Sequence, residues 1–150
     1  MIQGFRSQAE EKHITLGHEV TPISLAINAD PRQVKRILSS LVDNAIKFTP
    51  AGGHVGVIAK FAQNAVSPDL SGLESPIVIR VRDTGIGIKP KDMERVFAGQ
   101  VDAARTRSYE GTGMGLMLAR QLVELLGGRI WFESEGVPGR GTTFSVAMPG

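Results

Sequence analysis

Residues 77–88, IVIRVRDTGIGI, decide how this chain is expected to fold. Ile77, Ile79 and Val81 alternate with other residues, which predicts a strand with one buried face. The same alternation predicts further strands on both sides of this stretch, and residues 64–76, rich in Pro, Gly and Ser, read as a long hairpin loop. The other predicted strands cover residues 14–20, 23–27, 55–61, 129–135 and 142–148.

Two long helices are predicted between these strands. Asp30 is a suitable N-cap before Pro31, and apolar residues recur at helical spacing from there to Thr49. A second helix is predicted from Gly115 to Leu126, and shorter helical segments at residues 3–12 and 90–97. The sum is an α+β fold, a two-layer α/β sandwich in which a mixed sheet carries helices on one face.

Length and composition favour a single domain with no partner among nucleic acids. The chain has 150 residues, so residues 1–150 are expected to form one domain, with residues 1–10 as the tail of an incoming linker helix. Net charge is only +2, and Lys and Arg are scattered rather than gathered into a stripe. The absence of cysteine excludes a disulfide framework and a thiolate metal site.

No apolar stretch approaches the roughly 20 residues that span a bilayer, and we expect no signal peptide. We therefore expect a cytoplasmic domain without membrane contact of its own, whose parent protein can still be membrane-anchored.

A glycine-rich turn follows the strand quoted above. Asp83 has the parity of Ile77 and Val81, so its carboxylate is expected to point inward and to need a donor. An adenine amino group would serve, and Gly85 and Gly87 would let the backbone approach a flat base closely. An ordinary strand that ends in an Asp-Gly turn explains the same letters equally well.

A polar stripe lies on the first long helix. Ser40, Asn44 and Lys47 fall on one helical face. An amide oxygen is a suitable ligand for magnesium, and a lysine is a suitable point charge for phosphate. A solvated helix face is the simpler interpretation of this stripe when it is taken alone.

Two more glycine-rich stretches complete the set. Residues 111–116, GTGMGL, lead into a helix, where free N–H groups and the helix dipole favour phosphate; a flexible loop is the alternative. This spacing matches neither the dinucleotide-binding pattern nor a P-loop. Residues 139–144, GRGTTF, place Thr142 at the parity that faces the same interior as Asp83, although a plain β-turn before a strand explains them as well.

Together and in this order, the four clusters resemble the ATP-binding superfamily that includes DNA gyrase, the heat-shock chaperone ATPases, mismatch-repair ATPases and histidine kinases. The resemblance covers residues 10–149 and looks closest to the catalytic domain of sensor histidine kinases. Residues 41–49, LVDNAIKFT, are similar to the N-box of that family, and residues 83–88, 111–116 and 141–144 to its glycine boxes. The resemblance implies a Bergerat-type ATP-binding fold with ATP and Mg²⁺ as ligands.

The resemblance also implies roles for single residues. Asn44 would bind the magnesium, Lys47 would contact phosphate, and these two would be the catalytic residues. Asp83 would accept a hydrogen bond from the adenine amino group, with Thr142 nearby. Residues 98–112 would form a lid. The base would be lined by Gly85, Gly87 and Ile88, and the phosphates by Gly111, Thr112, Gly113, Met114, Gly115 and Leu116, with Arg105 and Arg107 as further phosphate contacts.

Two departures from the family pattern bear on activity. Ser40 stands four residues before Asn44, where the kinases usually have Asn and the hydrolysing relatives have a catalytic Glu. The missing carboxylate argues against a gyrase-like hydrolase, and the missing Asn puts the rate of catalysis in question. Phe97 is followed by Ala98-Gly99-Gln100, without the second Phe that is usual in the family, so the lid is expected to be short.

The implied function is phosphoryl transfer from ATP to a histidine on a separate dimerisation domain of the same parent, which would then pass the phosphoryl group to the receiver domain of a response regulator. His18 lies in a strand pattern and is not expected to be that histidine. Two alternatives stay open: a nucleotide-binding or partner-binding module with little turnover, and a serine-directed kinase of the anti-sigma type.

Overall fold

The computed structural model describes residues 2–21, 29–61, 76–92 and 114–149. Within these ranges, none of the helices is long and apolar enough to cross a membrane. The helices are α1 (Arg6–Glu11), α2 (Pro31–Lys47) and α3 (Met114–Leu125), with 3-10 turns at Ile2–Phe5 and Pro90–Asp92. The strands are β1 (Thr15–Thr21), β2 (His54–Phe61), β3 (Ile77–Asp83), β4 (Arg129–Ser134) and β5 (Thr142–Met148).

The five strands form one mixed sheet in the order β1-β2-β3-β5-β4. β1 runs parallel to β2, and the other neighbouring pairs are antiparallel. Period-two alternation gives the sheet two different faces, because Val81 is fully buried while its neighbours Arg80 and Arg82 are exposed. The buried face carries Val55, Val57, Ile77, Ile79, Val81, Phe144, Val146 and Met148.

Helix α2 is fixed at both ends. Asp30 Oδ1 accepts a hydrogen bond from the backbone N–H of Arg32 at 2.9 Å, which is N-capping. At the other end, Lys12 Nζ donates to the carbonyls of Ile46 (2.8 Å) and Lys47 (2.7 Å), which a helix end leaves without intrahelical partners. Burial lowers the pKa of Lys12. The buried stripe of α2 comprises Ile37, Leu41, Val42, Ala45 and Ile46.

Helix α3 packs beside α2 on the same face of the sheet. Leu116, Ala119 and Val123 are buried, and the first and last belong to the same hydrophobic cluster as the stripe of α2. The helix ends before Gly127, which has a positive φ of 77°. The core therefore lies between one helical layer and one sheet, as the sequence predicts.

The described elements match the predicted ones to within one or two residues, and α2 has the predicted N-cap. The pairing of β2 with β3 confirms the hairpin. Several predictions lie outside the described residues: the strand at 23–27, most of the hairpin loop, the end of the segment at 90–97, and the lid at 98–112 with Arg105 and Arg107.

Candidate functional site

A row of side chains crosses the buried face of the sheet at one end. Val55 pairs with Asp83 across β2 and β3, and Ser134 pairs with Thr142 across β4 and β5. The two halves of the row meet where the backbone N–H of Thr142 donates to Asp83 Oδ1 at 3.2 Å. The predicted neighbourhood of Asp83 and Thr142 is therefore confirmed, with the contact made through the backbone of Thr142.

Asp83 is a buried carboxylate, with 4% of its surface exposed. Its Oδ1 accepts two backbone hydrogen bonds, from Gly85 at 2.9 Å and from Thr142. Oδ2 accepts none from the residues that the structure describes. Burial raises the pKa of Asp83 to about 6, although both backbone donors act to lower it. At neutral pH the side chain is thus mostly an ionised acceptor with one oxygen to offer.

Two glycines beside Asp83 have no room for a side chain: Gly85 in the turn after β3 and Gly141 just before β5. A Cβ on Gly85 would overlap the backbone carbonyl of Phe48, and a Cβ on Gly141 would overlap the backbone carbonyl of Asp83. Gly141 also has a φ of +65°, which favours glycine. Ile86 N donates to the carbonyl of Phe48 at 3.1 Å, so the turn is tied to the C-terminal end of α2.

The polar stripe lies on the C-terminal half of α2, whose C-cap Phe48 contacts this turn. Asn44 is half-buried, and its side-chain amide makes no hydrogen bond with the described residues. Lys47 Nζ lies 3.0 Å from Asp43 Oδ2, and Gln8 Nε2 donates to Asp43 Oδ1 at 3.1 Å. Because the Asp43–Lys47 pair is about one third exposed, it is expected to be weak enough for Lys47 to exchange its partner for a phosphate.

The start of α3 lies against the same helix. A Cβ built on Gly115 would lie 3.9 Å from Cβ of Ser40, so the first turn of α3 approaches α2 one turn before Asn44. Met114, Gly115 and Leu116 belong to this first turn, where backbone N–H groups have no intrahelical partner. Gly111, Thr112 and Gly113 lie outside the described residues.

The structure thus brings three of the four predicted clusters around the C-terminal half of α2: the turn after β3, the polar stripe and the start of α3. Thr142, from the fourth cluster, donates its backbone N–H to Asp83 Oδ1. Ser134 was not among the predicted site residues, and its hydroxyl joins the turn after β3 to the one before β5. Ser134 has the same parity as the inward-facing Ile130 and Phe132 and lies at the end of its strand. The same signal predicted the inward direction of Asp83 and could have identified Ser134.

The chain combines a two-layer α+β fold with an inward carboxylate and adjacent glycine turns, and comparison with known proteins shows the family to which it belongs. The family model described as histidine kinase-, DNA gyrase B-, and HSP90-like ATPase matches residues 29–150. The chain is 36% identical over 142 residues to the sensor histidine kinase WalK of Bacillus subtilis (strain 168), which is 93% of this chain and 21% of that protein.

Solved structures agree with this match. The mycobacterial sensor histidine kinase MprB has a TM-score of 0.79 at 25% identity, over 99% of this chain and 92% of that one. Full-length ShkA in complex with AMPPNP has a TM-score of 0.76 at 28% identity, over 98% of this chain and 28% of that one. The chain belongs to the histidine kinase-, DNA gyrase B- and HSP90-like ATPase family, and within it its relatives are sensor histidine kinases. It spans about a fifth of the length of WalK.

Proposed function

We propose that the chain binds ATP with Mg²⁺ and transfers the γ-phosphoryl group to a histidine on a separate dimerisation domain of its parent protein. The observation that carries the proposal is Asp83, an inward carboxylate whose Oδ1 is held by two backbone donors while Oδ2 is left to accept from a ligand. An adenine amino group is the donor that such an oxygen would select. The turn with Gly85, Gly87 and Ile88 would lie against the face of the base.

The described residues fit a magnesium ion that is shared with the phosphates. They contain no group of three His, Asp or Glu side chains that would hold a metal without help. Mg²⁺ commonly takes one or two protein oxygens together with phosphates and waters. The amide oxygen of Asn44 has no other partner among these residues and is the protein ligand that we assign. When bound, the ion would neutralise charge on the phosphates.

Phosphoryl transfer of this kind depends on positioning and on charge stabilisation. Lys47 would supply a positive charge to the phosphates, and the N-terminal turn of α3 would supply free N–H groups and the positive end of a helix dipole. The position four residues before Asn44 is a serine, so no carboxylate activates water there. A histidine nucleophile has its own lone pair and needs no such base.

The proposed partners follow from this chemistry. The acceptor histidine would lie on the dimerisation domain of the parent, and a receiver domain of a response regulator would take the phosphoryl group next. His18 lies on β1, in the strand that the sequence predicts for it. The proposed compartment is the cytoplasm, where ATP is available. AMPPNP is bound in the ShkA structure that shares this fold, which supports the assignment of an ATP-like ligand.

The test is calorimetric titration with ATP, with and without Mg²⁺, of the wild type and Asp83→Asn. We expect magnesium-dependent binding that the substitution abolishes, because the amide presents a donor in place of one acceptor oxygen. The isolated histidine domain is then supplied in trans, and acid-labile phosphohistidine is expected. A folded wild-type protein that binds no nucleotide at millimolar concentration would exclude the proposal.

A second candidate is a nucleotide-binding module with little turnover. Ser40 favours this candidate, because its side chain is shorter than the Asn side chain that kinases usually have at this position. Ser40 lies next to Gly115. Tight ATP binding without any phosphohistidine would establish this candidate in place of the kinase. A label that survives acid would instead indicate a serine-directed kinase.

A further inference from the structure

The hydroxyl of Ser134 is a junction between three backbone segments. It accepts hydrogen bonds from the N–H of Ile88 at 2.8 Å and of Gly136 at 3.2 Å, and it donates to the carbonyl of Gly141 at 3.0 Å. A serine hydroxyl has one donor and two acceptor sites, so every site is used. These bonds span 46 and 7 residues of sequence as well as a local turn.

We propose that Ser134 is a positioning residue of the nucleotide site, which sets the distance and orientation of the glycine turn at residues 84–88 relative to Asp83. The inference rests on the proposed function, since it assigns a task within the same site. Ser134 itself acts through the backbone groups that its hydroxyl bonds.

The turn at residues 84–88 is attached at two points to the stretch that runs from Ser134, the last residue of β4, to the start of β5. Gly139 N donates to the carbonyl of Gly85 at 2.9 Å, and Ser134 holds the N–H of Ile88. A Cβ on Gly87 would lie 3.1 Å from Ser134 Oγ and 3.3 Å from Cα of Gly136, so the two segments are already in contact. Without the hydroxyl, the turn would keep its first attachment and lose its second. The expected effect is local.

Ser134 also acts on Asp83 through β5. The carbonyl that it holds belongs to Gly141, and the next residue, Thr142, donates its backbone N–H to Asp83 Oδ1. One hydroxyl therefore supports both the surface proposed for the base and a donor that orients the carboxylate. Loss of the hydroxyl should weaken recognition of the base and leave recognition of the phosphates unaltered.

Ser145 offers a matched control. It is a serine on β5 with 3% of its surface exposed, and its hydroxyl makes no hydrogen bond to the part of the chain that the structure describes. It pairs with Trp131 and Arg80, on the face of the sheet that points away from the helices. Ser145→Ala therefore removes a serine hydroxyl that makes none of the bonds made by Ser134, and it leaves the site untouched.

The experiment compares the Kd of ADP and of Mg-ATP for wild type, Ser134→Ala, Ser134→Thr and Ser145→Ala. We expect Ser134→Ala to raise the Kd of both nucleotides by the same factor, about 5–10-fold, because the hydrogen bonds that hold the turn are lost. Ser134→Thr, which keeps the hydroxyl, and Ser145→Ala should both stay within about twofold of wild type. Amide hydrogen exchange without nucleotide should accelerate at Ile88 and Gly136 in Ser134→Ala.

The outcomes separate this inference from the proposed function. If Ser134→Ala binds nucleotide with wild-type affinity while Asp83→Asn still abolishes binding, the proposed role of Ser134 is overturned and the proposed nucleotide site stands. Equal losses in the alanine and threonine variants would also overturn it, because packing and not the hydroxyl would then matter. If Ser134→Ala does not fold, a loss of affinity in the threonine variant counts against the proposal in the same way. A wild type that binds no nucleotide overturns both.

Discussion

Asp83 is a carboxylate that the fold keeps buried at a cost to stability. Its pKa is raised to about 6 from the ordinary 3.8, with burial as the main cause. A raised pKa means that the folded chain binds a proton more tightly than the unfolded chain does. Between about pH 4 and pH 6, the contribution of Asp83 to stability therefore falls as pH rises, and above that window the penalty from its ionisation is constant. Such a cost at a specific position is typical of a functional group.

Asp83→Asn is expected to stabilise the protein without nucleotide. The shift corresponds to a penalty on the order of 3 kcal/mol at pH 8, at about 1.4 kcal/mol per pKa unit, and the amide removes the ionisation that causes it. Urea unfolding at pH 8 should show the variant as the more stable protein, and the difference should shrink below about pH 4.

The control for this comparison is Asp30→Asn, which removes a charge from an exposed carboxylate outside the site. Its stability at pH 8 should be close to that of wild type, because Asn caps a helix about as well as Asp. If Asp83→Asn were less stable than wild type at pH 8, the burial penalty would be smaller than the value of the charged hydrogen bonds to Gly85 and Thr142.

Helix α2 carries both the core stripe and the polar stripe of the site. Its two ends are expected to affect stability and binding differently, because only the C-terminal end lies near the proposed site. The N-terminal end is capped by Asp30, far along the helix from Asn44. The C-terminal end is held by Lys12 and lies against the glycine turn through Phe48. We infer that the first end affects stability alone, while the second affects stability and binding together.

Asp30→Ala tests whether the N-terminal end of α2 affects stability alone. Loss of an N-cap typically costs about 1 kcal/mol, and Asn caps about as well as Asp. Thermal and urea unfolding should therefore show Asp30→Ala to be less stable and Asp30→Asn to be close to wild type. The affinity for ATP should not change in either variant. A loss of affinity in Asp30→Ala would mean that fraying at this end reaches the site.

Nucleotide binding should couple to the unfolding of the entire chain, because the proposed contacts come from β3, α2 and α3, which share one core. For a two-state domain, ATP at 100 times its Kd adds about 2.7 kcal/mol to the free energy of unfolding. We expect that increment in wild type and also in Asp30→Ala, which starts from a lower stability. Asp83→Asn should show no increment, although its stability without nucleotide is expected to be higher than that of wild type. Differential scanning fluorimetry with Mg-ATP gives all three comparisons.

Local periodicity was sufficient to predict most elements of this protein. The alternation in residues 77–81 and the helical spacing after Asp30 are properties of neighbouring residues, so the sequence contains them directly. The inward direction of Asp83 followed from parity in the same way, and 4% exposure confirms it. Resemblance of the ordered motifs then predicted the family, which the match over residues 29–150 confirms.

Contacts between distant segments required the tertiary structure. Nothing in the local pattern of residues 134–142 indicates that Ser134 bonds Ile88, 46 residues earlier, or that Thr142 bonds Asp83, 59 residues earlier. Those contacts depend on β5 lying between β3 and β4. The strand order is likewise a result of packing the whole core. The sequence determined which residues point inward, and the fold decided which of them meet, since side-chain direction is local while proximity depends on the entire path of the chain.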